Sequence, residues 1–237
     1  MNYKSLETKI VRWLKKKLKS SKRKGFIIGL SGGIDSAVVS VLCQKAVGIK
    51  NVLCLMLSCQ SQKIDIEDAK KVAKKFGLKT ETVELTKIYE NLIGILPTAL
   101  PVVDKLTQAN LKPRLRMLTL YYFANKLNYL VVGTGNKSEL TIGYFTKYGD
   151  GGVDILPIGN LYKSEVRGLA KHLGIPEEII TKPPTAGLWT GQTDEGEIGL
   201  TYDELECLLK NKKLTPKLKS LATNAKHKLF PPEIFNQ

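Results

Sequence analysis

The chain has 237 residues, which is enough for one large α/β domain or for one domain with a small appendage. Its 43% hydrophobic and 25% charged residues are ordinary for a globular protein, and no apolar run approaches the roughly 18 residues of a membrane span. The net charge of +15 comes from lysines in helix-face clusters, while the aromatic residues, 7% of the chain, fall at apparent core positions. This pattern favours a solvated lysine-rich surface over an RNA-binding one, and we expect neither a nucleic-acid nor a membrane partner.

Hydrophobic periodicity predicts alternating strands and helices through the first half of the chain. The predicted elements are, in order, a helix over 3–19, a strand over 25–30, a helix over 37–47, a strand over 51–57, a helix over 65–76 that ends at Gly77, a strand over 80–85, a helix over 86–96, a helix over 115–127 and a strand over 129–133. After Thr134 a glycine-rich run is followed by helices near 163–173, 202–209 and 216–225. Alternating strands and helices predict a doubly wound, Rossmann-like parallel sheet with helices on both faces.

The carboxyl ends of the predicted strands indicate where a ligand binds. In a parallel sheet ligands bind beyond those ends, and the first, second and fourth strands end at Ser31, near Ser58 and at Gly133. We therefore expect these three positions to meet at one crevice. Because the chain has no internal repeat and no low-complexity linker, residues 1–237 are expected to form a single domain.

Two further features bear on the compartment. The N-terminus is lysine-rich and periodic and lacks the charged-then-apolar pattern of a secretory signal. The four cysteines have no Cys-x-x-Cys spacing, and Cys43 and Cys54 lie in apolar runs that predict buried thiols. We expect a cytoplasmic protein.

The segment Gly29-Leu30-Ser31-Gly32-Gly33-Ile34-Asp35-Ser36, called here the phosphate loop, joins the first strand to the next helix. A strand that turns in Ser-Gly-Gly and continues as a helix directs several backbone N–H groups, and the positive end of the helix dipole, toward one point. The glycines leave no Cβ between backbone and ligand. Asp35 is an acid at an anion site, which is explained if it binds a divalent cation, although it could also be a helix-start acid.

The phosphate loop is one of several motifs that identify a family by resemblance. Ser-Gly-Gly-x-Asp-Ser resembles the pyrophosphate loop of the N-type ATP pyrophosphatases, whose adenine nucleotide alpha hydrolase-like fold is expected here. Farther along the chain come 110–117 (Asn-Leu-Lys-Pro-Arg-Leu-Arg-Met), 134–139 (Thr-Gly-Asn-Lys-Ser-Glu), 143–157 and 182–188 (Lys-Pro-Pro-Thr-Ala-Gly-Leu). Together with 199–202 and His227-Lys228, in order and with matching spacing, they resemble the ammonia-dependent NAD synthetases from about Gly25 to Lys228.

The resemblance implies a ligase that uses ATP to amidate deamido-NAD with ammonia, which is the last step of NAD biosynthesis. It implies ATP contacts from Gly29, Leu30, Ser31, Gly32, Gly33, Ile34, Asp35, Ser36, Thr134, Lys163 and Thr185, deamido-NAD contacts from Arg114, Lys147, Asp154, His227 and Lys228, and Mg²⁺ ligands in Asp35 and Glu139. Asp35 and Lys163 are the expected catalytic residues. The segment after the second strand departs from the family pattern, which leaves Ser58, Gln60 and Gln62 as weak candidates for the adenine and ribose contacts.

The residues leave several alternatives open. Arg116, two positions from Arg114, lies on another helix face, and we prefer Arg114 as the ligand contact. Tyr144, Phe145 and Tyr148 are either core residues or a stacking surface for a pyridine ring, and His172 is expected to be structural. A tRNA-modifying pyrophosphate-loop enzyme and a non-enzymatic ATP-binding module are the rival functions.

The last expectations concern the nitrogen donor, a lid segment and the oligomeric state. The first cysteine, Cys43, lies inside a predicted helix, and about 25 residues precede the first strand, so no glutaminase domain is expected. Free ammonia is the predicted donor, with supply by a separate subunit as the open alternative. Residues 181–196 are irregular and rich in proline and glycine, which predicts a lid over ATP. The resemblance implies a homodimer, and the helix over 113–127, with Leu118, Tyr121 and Tyr122, is either an interface or part of the core.

Overall fold

Four parallel strands form the sheet in the part of the chain that the computed structural model describes, which is residues 1–97, 105–189 and 191–235. They are β1 (Gly25–Gly29), β2 (Val52–Ser58), β3 (Thr80–Glu84) and β4 (Tyr129–Val131). All of their pairings are parallel and the order across the sheet is β3-β2-β1-β4. β2 and β3 are therefore added in turn on one side of β1, and the chain then crosses back to add β4 on the other side. This reversal puts the point where ligands bind in such sheets between β1 and β4.

Helices follow each strand and continue after the sheet is complete. Those of the first half are α1 (Tyr3–Ser21), α2 (Ile34–Val47), α3 (Lys63–Phe76), α4 (Thr86–Ile95), α5 (Lys105–Ala109) and α6 (Leu111–Leu127). Those of the second half are α7 (Lys137–Ile142), α8 (Lys163–Leu173), α9 (Glu177–Thr181), α10 (Asp194–Ile198), α11 (Tyr202–Lys210), α12 (Pro216–Asn224) and α13 (Lys226–Leu229). A short 3₁₀ turn, Ile49–Asn51, precedes β2.

Alternate residues of the strands pack on opposite faces of the sheet, which confirms the doubly wound arrangement. Phe26 and Ile28 of β1 join a core with α1, α2, α3, α8 and α9, whereas Ile27 packs with residues of α4 and α6 on the other face. β2 is buried along its whole length, as expected for a strand covered on both faces. β3, at the edge, is mostly exposed or half-buried.

A third hydrophobic cluster lies apart from the sheet. We call it the satellite cluster, and its buried members come from α7, α10, α11 and α12: Ile142, Ile198, Leu205 and Leu218. It packs against the chain after β4, since Ile142 of α7 is a member and Tyr144, in the 143–157 motif, packs on it.

The predicted elements are present with shifts at their ends. α3 ends at Gly77, which has the left-handed conformation (φ 61°) that the sequence predicted for a helix C-terminus. α6 was predicted from residue 115 and begins at Leu111, with Pro113 in its first turn, where a proline is tolerated because the first N–H groups have no intrahelical partner. Cys43 and Cys54 are buried, as predicted. No helix of the described residues is long and apolar enough to cross a membrane.

Candidate active site at the carboxyl ends of the strands

The phosphate loop lies between β1 and the N-terminus of α2. Its two serines hold the turn, since Ser31 Oγ and Ser36 Oγ are 3.1 Å apart and Ser36 Oγ donates to the carbonyl of Gly33 at 2.9 Å. Gly32 has φ +84°, in the region that favours glycine. Gly33 is the N-cap of α2 and supplies no side chain to the first-turn N–H groups, so these groups are suited to bind an anion.

A lysine joins two acids from distant parts of the chain beside this loop. Lys163 is the first residue of α8 and is only 3% exposed. Its Nζ lies 2.5 Å from Asp35 Oδ2 and 3.4 Å from Glu139 Oε1. We call these three residues the acid–lysine cluster. Glu139 also closes a capping box with Asn136, whose Nδ2 donates to Asp35 Oδ1 at 3.2 Å, so the helix-start and functional interpretations of Glu139 are compatible.

The electrostatics of the acid–lysine cluster are those of a buried ion triplet. Burial raises the pKa of the Glu139 carboxyl above its usual range, and the neighbouring Asp35 charge adds to this effect, while Lys163 opposes it. Burial alone would lower the pKa of Lys163, but Asp35 and Glu139 outweigh it and the pKa is raised. Lys163 therefore stays charged, and the cluster presents one fixed positive charge between two acidic groups.

Two more buried residues, which the sequence analysis did not identify, lie beside the acid–lysine cluster. Tyr202 donates its hydroxyl toward Glu139 Oε1 at 3.3 Å and to Asp194 Oδ2 at 2.9 Å. Asp194 is 4% exposed, and among the described residues its Oδ1 has no hydrogen-bond partner. Burial raises the pKa of Asp194. Both residues lie in segments that the sequence singled out, Tyr202 in the 199–202 motif and Asp194 in the irregular 181–196 segment, but no pattern along the chain assigned either side chain a role, and Asp194 begins a helix of only five residues.

A cavity of about 620 Å³ opens over the phosphate loop and the acid–lysine cluster. Ser31, Ser58 and Gly133 line it together, so the three strand ends meet at one crevice as predicted. Thr134 and Thr185 also line the cavity. Of the weak adenine candidates, Ser58 lines it; Gln60 and Gln62 are exposed and not part of the lining, and the Gln60 amide bonds Glu90.

The residues expected to bind deamido-NAD divide into three places. Arg114 Nε donates to the Lys147 carbonyl at 3.4 Å, and Lys147 Nζ lies 3.5 Å from His227 Nδ1, so the exposed Arg114 and His227 and the half-buried Lys147 form a group outside the cavity lining. Lys228 lines the cavity and donates to the carbonyls of Gly143 and Phe145. Asp154 accepts from the Val131 amide at 2.8 Å and from the Tyr121 hydroxyl at 3.0 Å, beside β4.

Arg116, rather than Arg114, is the arginine of the motif that lines the cavity. It donates to the Leu57 carbonyl at 3.1 Å, at the end of β2, and burial lowers its pKa. The aromatic residues near Lys147 also divide, because Tyr144 and Phe145 line the cavity whereas Tyr148 is 55% exposed. His172 pairs with Glu7 at 2.8 Å, in agreement with a structural role.

The irregular segment over 181–196 covers one side of the cavity. Lys182 Nζ bonds Asp65 at 2.8 Å and Asp68 at 2.7 Å, which ties the segment to α3. The buried Lys112 donates to the Leu188 carbonyl at 2.6 Å and ties it to α6. One position of the predicted lid, Thr190, lies outside the described residues.

Comparison with known proteins agrees with this geometry. A family model described as NAD synthase matches residues 6–236. The NH(3)-dependent NAD(+) synthetase of Carboxydothermus hydrogenoformans is 48% identical over 239 residues, covering 99% of this chain and 98% of the relative.

Two solved structures have the same fold over the full length of both chains. The NMN synthetase of Francisella tularensis matches with a TM-score of 0.92 and 36% identity, covering 100% of both chains. The NH3-dependent NAD synthetase of Campylobacter jejuni, in complex with nitrate, matches with a TM-score of 0.80 and 35% identity, again covering 100% of both. A matched family model, a near-complete alignment to a curated relative and a shared fold with a cavity at the strand ends lead to one conclusion: the chain belongs to the NAD synthase family.

Proposed function

We propose that this chain catalyses the ATP-dependent amidation of deamido-NAD by ammonia, giving NAD, AMP and pyrophosphate. The observation that carries the proposal is the acid–lysine cluster, which joins the phosphate-loop acid Asp35 to Glu139 of the 134–139 motif and to Lys163 at the start of α8, all three of which line one cavity. A Gly-rich anion site beside a fixed cation and two carboxylates suits a reaction in which a nucleotide triphosphate loses pyrophosphate.

The first half-reaction activates the acid. The nicotinate carboxylate attacks the α-phosphorus of ATP, an acyl–adenylate bond forms, and pyrophosphate leaves. N–H groups of the phosphate loop and the Lys163 ammonium bind the phosphate oxygens as negative charge builds on the leaving group. Ammonia then attacks the acyl carbon, AMP departs and one proton is released. Each step requires positioning and charge stabilisation, and none requires a covalent bond to the protein.

Mg²⁺ is part of the proposal, with Asp35 and Glu139 as its protein ligands. The donor set fits, because both are carboxylates that face the cavity with 17% and 16% of their side chains exposed. Mg²⁺ is commonly held by one or two carboxylates together with substrate phosphates. Among the described residues, no group of three or more His, Cys, Asp and Glu side chains is placed to hold a metal. When bound, the ion would neutralise charge on the phosphates.

We also propose that the chain uses ammonia directly as its nitrogen donor and that residues 1–237 form a single domain. Three of the four cysteines are unsuited to be the nucleophile of a second, glutamine-cleaving site. Three are buried, and burial raises the pKa of each of these thiols, which keeps it protonated and unreactive. The fourth, Cys207, is exposed on α11 and contacts Asn211.

A homodimer is a further part of the proposal, with α6 as the contact surface. Leu118 and Tyr122 on this helix are 64% and 61% exposed, which is unusual for large apolar side chains one turn apart. Leu118→Glu should convert a dimer into a monomer in sedimentation at micromolar concentration. The control is Ile88→Glu, at a 54% exposed site on α4, and equal masses for both variants would refute α6 as the interface.

Amidation of nicotinic acid mononucleotide is a second candidate, because the solved structure with a TM-score of 0.92 is an NMN synthetase. The two substrates differ by the AMP half of deamido-NAD, so a competition assay decides between them. Purified protein, ATP and Mg²⁺ are incubated with equal amounts of both substrates and with either ammonium chloride or glutamine.

Each outcome of this assay is informative. NAD and AMP formed in step from ammonium chloride support the proposal, and NMN as the main product supports the second candidate. Product from glutamine alone at the same rate would refute direct use of ammonia. No product from a folded protein that binds ATP would refute both amidations and make the tRNA-modifying reading the next to test.

A further inference from the structure

Glu206 on α11 is a buried carboxylate that the reaction described above does not use. It is 2% exposed and lies at the N-terminal ends of α7 and α8, between them and its own helix. Its Oε1 accepts from the Ser164 amide at 2.9 Å and from Ser138 Oγ at 3.3 Å. Its Oε2 accepts from Ser164 Oγ at 2.5 Å and from Lys210 Nζ at 3.4 Å.

The two serines that Glu206 holds are sequence neighbours of the acid–lysine cluster. Ser138 precedes Glu139, and Ser164 follows Lys163. Ser138 Oγ also accepts from the Lys163 backbone amide at 3.2 Å, so a continuous chain of hydrogen bonds runs from Glu206 to the start of α8. A single side chain therefore fixes the backbone from which the Lys163 and Glu139 side chains extend to the cavity.

The donors around Glu206 explain why the residue is an acid. The Ser164 amide and the Lys210 ammonium can only donate, and they face different oxygens of the carboxylate. A glutamine amide has one oxygen and one NH₂ group, so either orientation sets a donor against a donor. Only an acceptor at both positions satisfies the arrangement, and the negative charge is also favoured at the N-terminus of the 11-residue helix α8.

We propose that Glu206 is a positioning residue of the reaction: it sets the placement of Lys163 and Glu139 through Ser138 and Ser164 without contacting a substrate. The inference rests on the proposed function. The competing explanation is that Glu206 only stabilises the packing of α11 against α8, in which case its loss affects the folded population and not the geometry of the cluster.

The test is a double-mutant cycle of Glu206→Gln with Lys163→Ala, measured as NAD formation from deamido-NAD, ATP and ammonium chloride. In the otherwise native chain, Glu206→Gln should lower kcat by about 10–100-fold, the usual effect of losing a residue that orients a ligand-binding group, with the KM for deamido-NAD unchanged. In the Lys163→Ala background the same substitution should cost less than about threefold, because the residue that Glu206 positions is already gone. Asp203→Asn removes an acid from the same helix whose side chain is 79% exposed, and its kcat should equal that of the wild type.

Three results overturn the inference. The first is a kcat of Glu206→Gln within about twofold of the wild type. The second is an equal fold-loss of kcat for Glu206→Gln in the native and Lys163→Ala backgrounds, as additivity requires of uncoupled residues. The third is a loss of kcat in Asp203→Asn equal to that in Glu206→Gln. If Glu206→Gln does not fold, Ser138→Ala replaces it in the cycle, because it removes only the hydroxyl that links Glu206 to the Lys163 amide. Full activity of Ser138→Ala would then refute the inference.

The cycle also separates this inference from the proposed function. If the wild type makes no NAD, the proposed function has failed, and the same four proteins are compared by their dissociation constants for ATP with Mg²⁺. Coupling between positions 206 and 163 in ATP affinity would still support the positioning role, and additive effects would refute it.

Discussion

The phosphate loop contains two adjacent glycines, Gly32 and Gly33, whose surroundings predict very different losses of stability on substitution by alanine. A Cβ on Gly32 would lie 2.2 Å from the backbone oxygen of Asp65 in α3, and Gly32 has φ +84°. A Cβ on Gly33 would meet only the Ser31 side chain, at 3.4 Å, and Gly33 has φ −86°. Gly32→Ala should therefore be strongly destabilising and Gly33→Ala should not.

The magnitude follows from two contributions. A left-handed backbone conformation costs an alanine about 1–2 kcal/mol. The clash is with backbone, so α3 and the loop must separate, and overpacking of this kind costs about 1–3 kcal/mol. Together they predict a loss of about 2–5 kcal/mol for Gly32→Ala, or roughly 4–20 °C in Tm at about 2–4 °C per kcal/mol for a chain of this size.

A third glycine separates the two contributions. Gly174, after α8, has φ +75°, and a Cβ there would meet nothing within 4 Å. Gly174→Ala should therefore cost only the conformational part, about 1–2 kcal/mol, while Gly33→Ala should stay within about 1 kcal/mol of the wild type.

Thermal unfolding of the three variants, followed by circular dichroism, gives the comparison. The expected order of Tm is Gly33→Ala, then Gly174→Ala, then Gly32→Ala as the lowest. A Gly32→Ala protein as stable as Gly174→Ala would mean that the contact with α3 costs nothing, and the reasoning from the close approach would be wrong.

Three other predictions concern the metal ligands, the lid and the N-terminal helix. Asp35→Asn and Glu139→Gln should each lower kcat by at least about 100-fold and raise the Mg²⁺ concentration needed for half-maximal rate, and saturation at the wild-type Mg²⁺ concentration would contradict the ligand assignment. In a Trp13→Phe variant, which leaves Trp189 as the sole tryptophan, the fluorescence should change when ATP and deamido-NAD bind together, and an unchanged spectrum would count against lid closure. Burial raises the pKa of Glu7, but hydrogen bonds from its lysine and histidine partners outweigh it and the pKa is lowered, so its contribution to stability is present at pH 7 and is lost as the pH falls through the lowered pKa. Glu7→Gln should accordingly lower Tm by about 2–4 °C at pH 7, for a pair worth about 1 kcal/mol, and the difference should shrink as acidification protonates Glu7; a difference that does not depend on pH would refute the assignment.

The sheet could be predicted because its signals are local. The apolar runs of β1 and β2, the helical spacing of α3 and the glycine that ends it each specify an element within a short window of sequence. The phosphate loop is local in the same sense, since strand, turn and helix are contiguous. The five-residue helices α5, α9 and α10 escaped because so few residues do not reveal a period of 3.6.

The rest of the site depends on how each helix is rotated about its axis and on contacts between residues far apart in the chain. Neither can be read from a pattern along the sequence. The choice between Arg114 and Arg116 requires the rotation of α6 relative to the sheet, and a helix predicted to begin at residue 115 leaves that rotation undefined. Lys163 was identified through its family-like position, but nothing along the chain indicates that its ammonium lies between Asp35 and Glu139, which are 128 and 24 residues away. The role of Glu206 is hidden for the same reason, because all its serine partners come from other helices.

The satellite cluster has a consequence for how the enzyme responds to heat. Its helices carry Glu139 and Asp194, which line the cavity, and Tyr202, which contacts both of them, yet its buried core is small and separate from the two clusters that cover the sheet. A separately packed unit opens with its own, lower free energy, so amides of α11 and α12 should exchange with deuterium faster than those of β1 and β2. Catalysis should consequently be lost on warming while the sheet is still intact, and a ligand that bridges the phosphate loop and the satellite helices should bring the two transitions together.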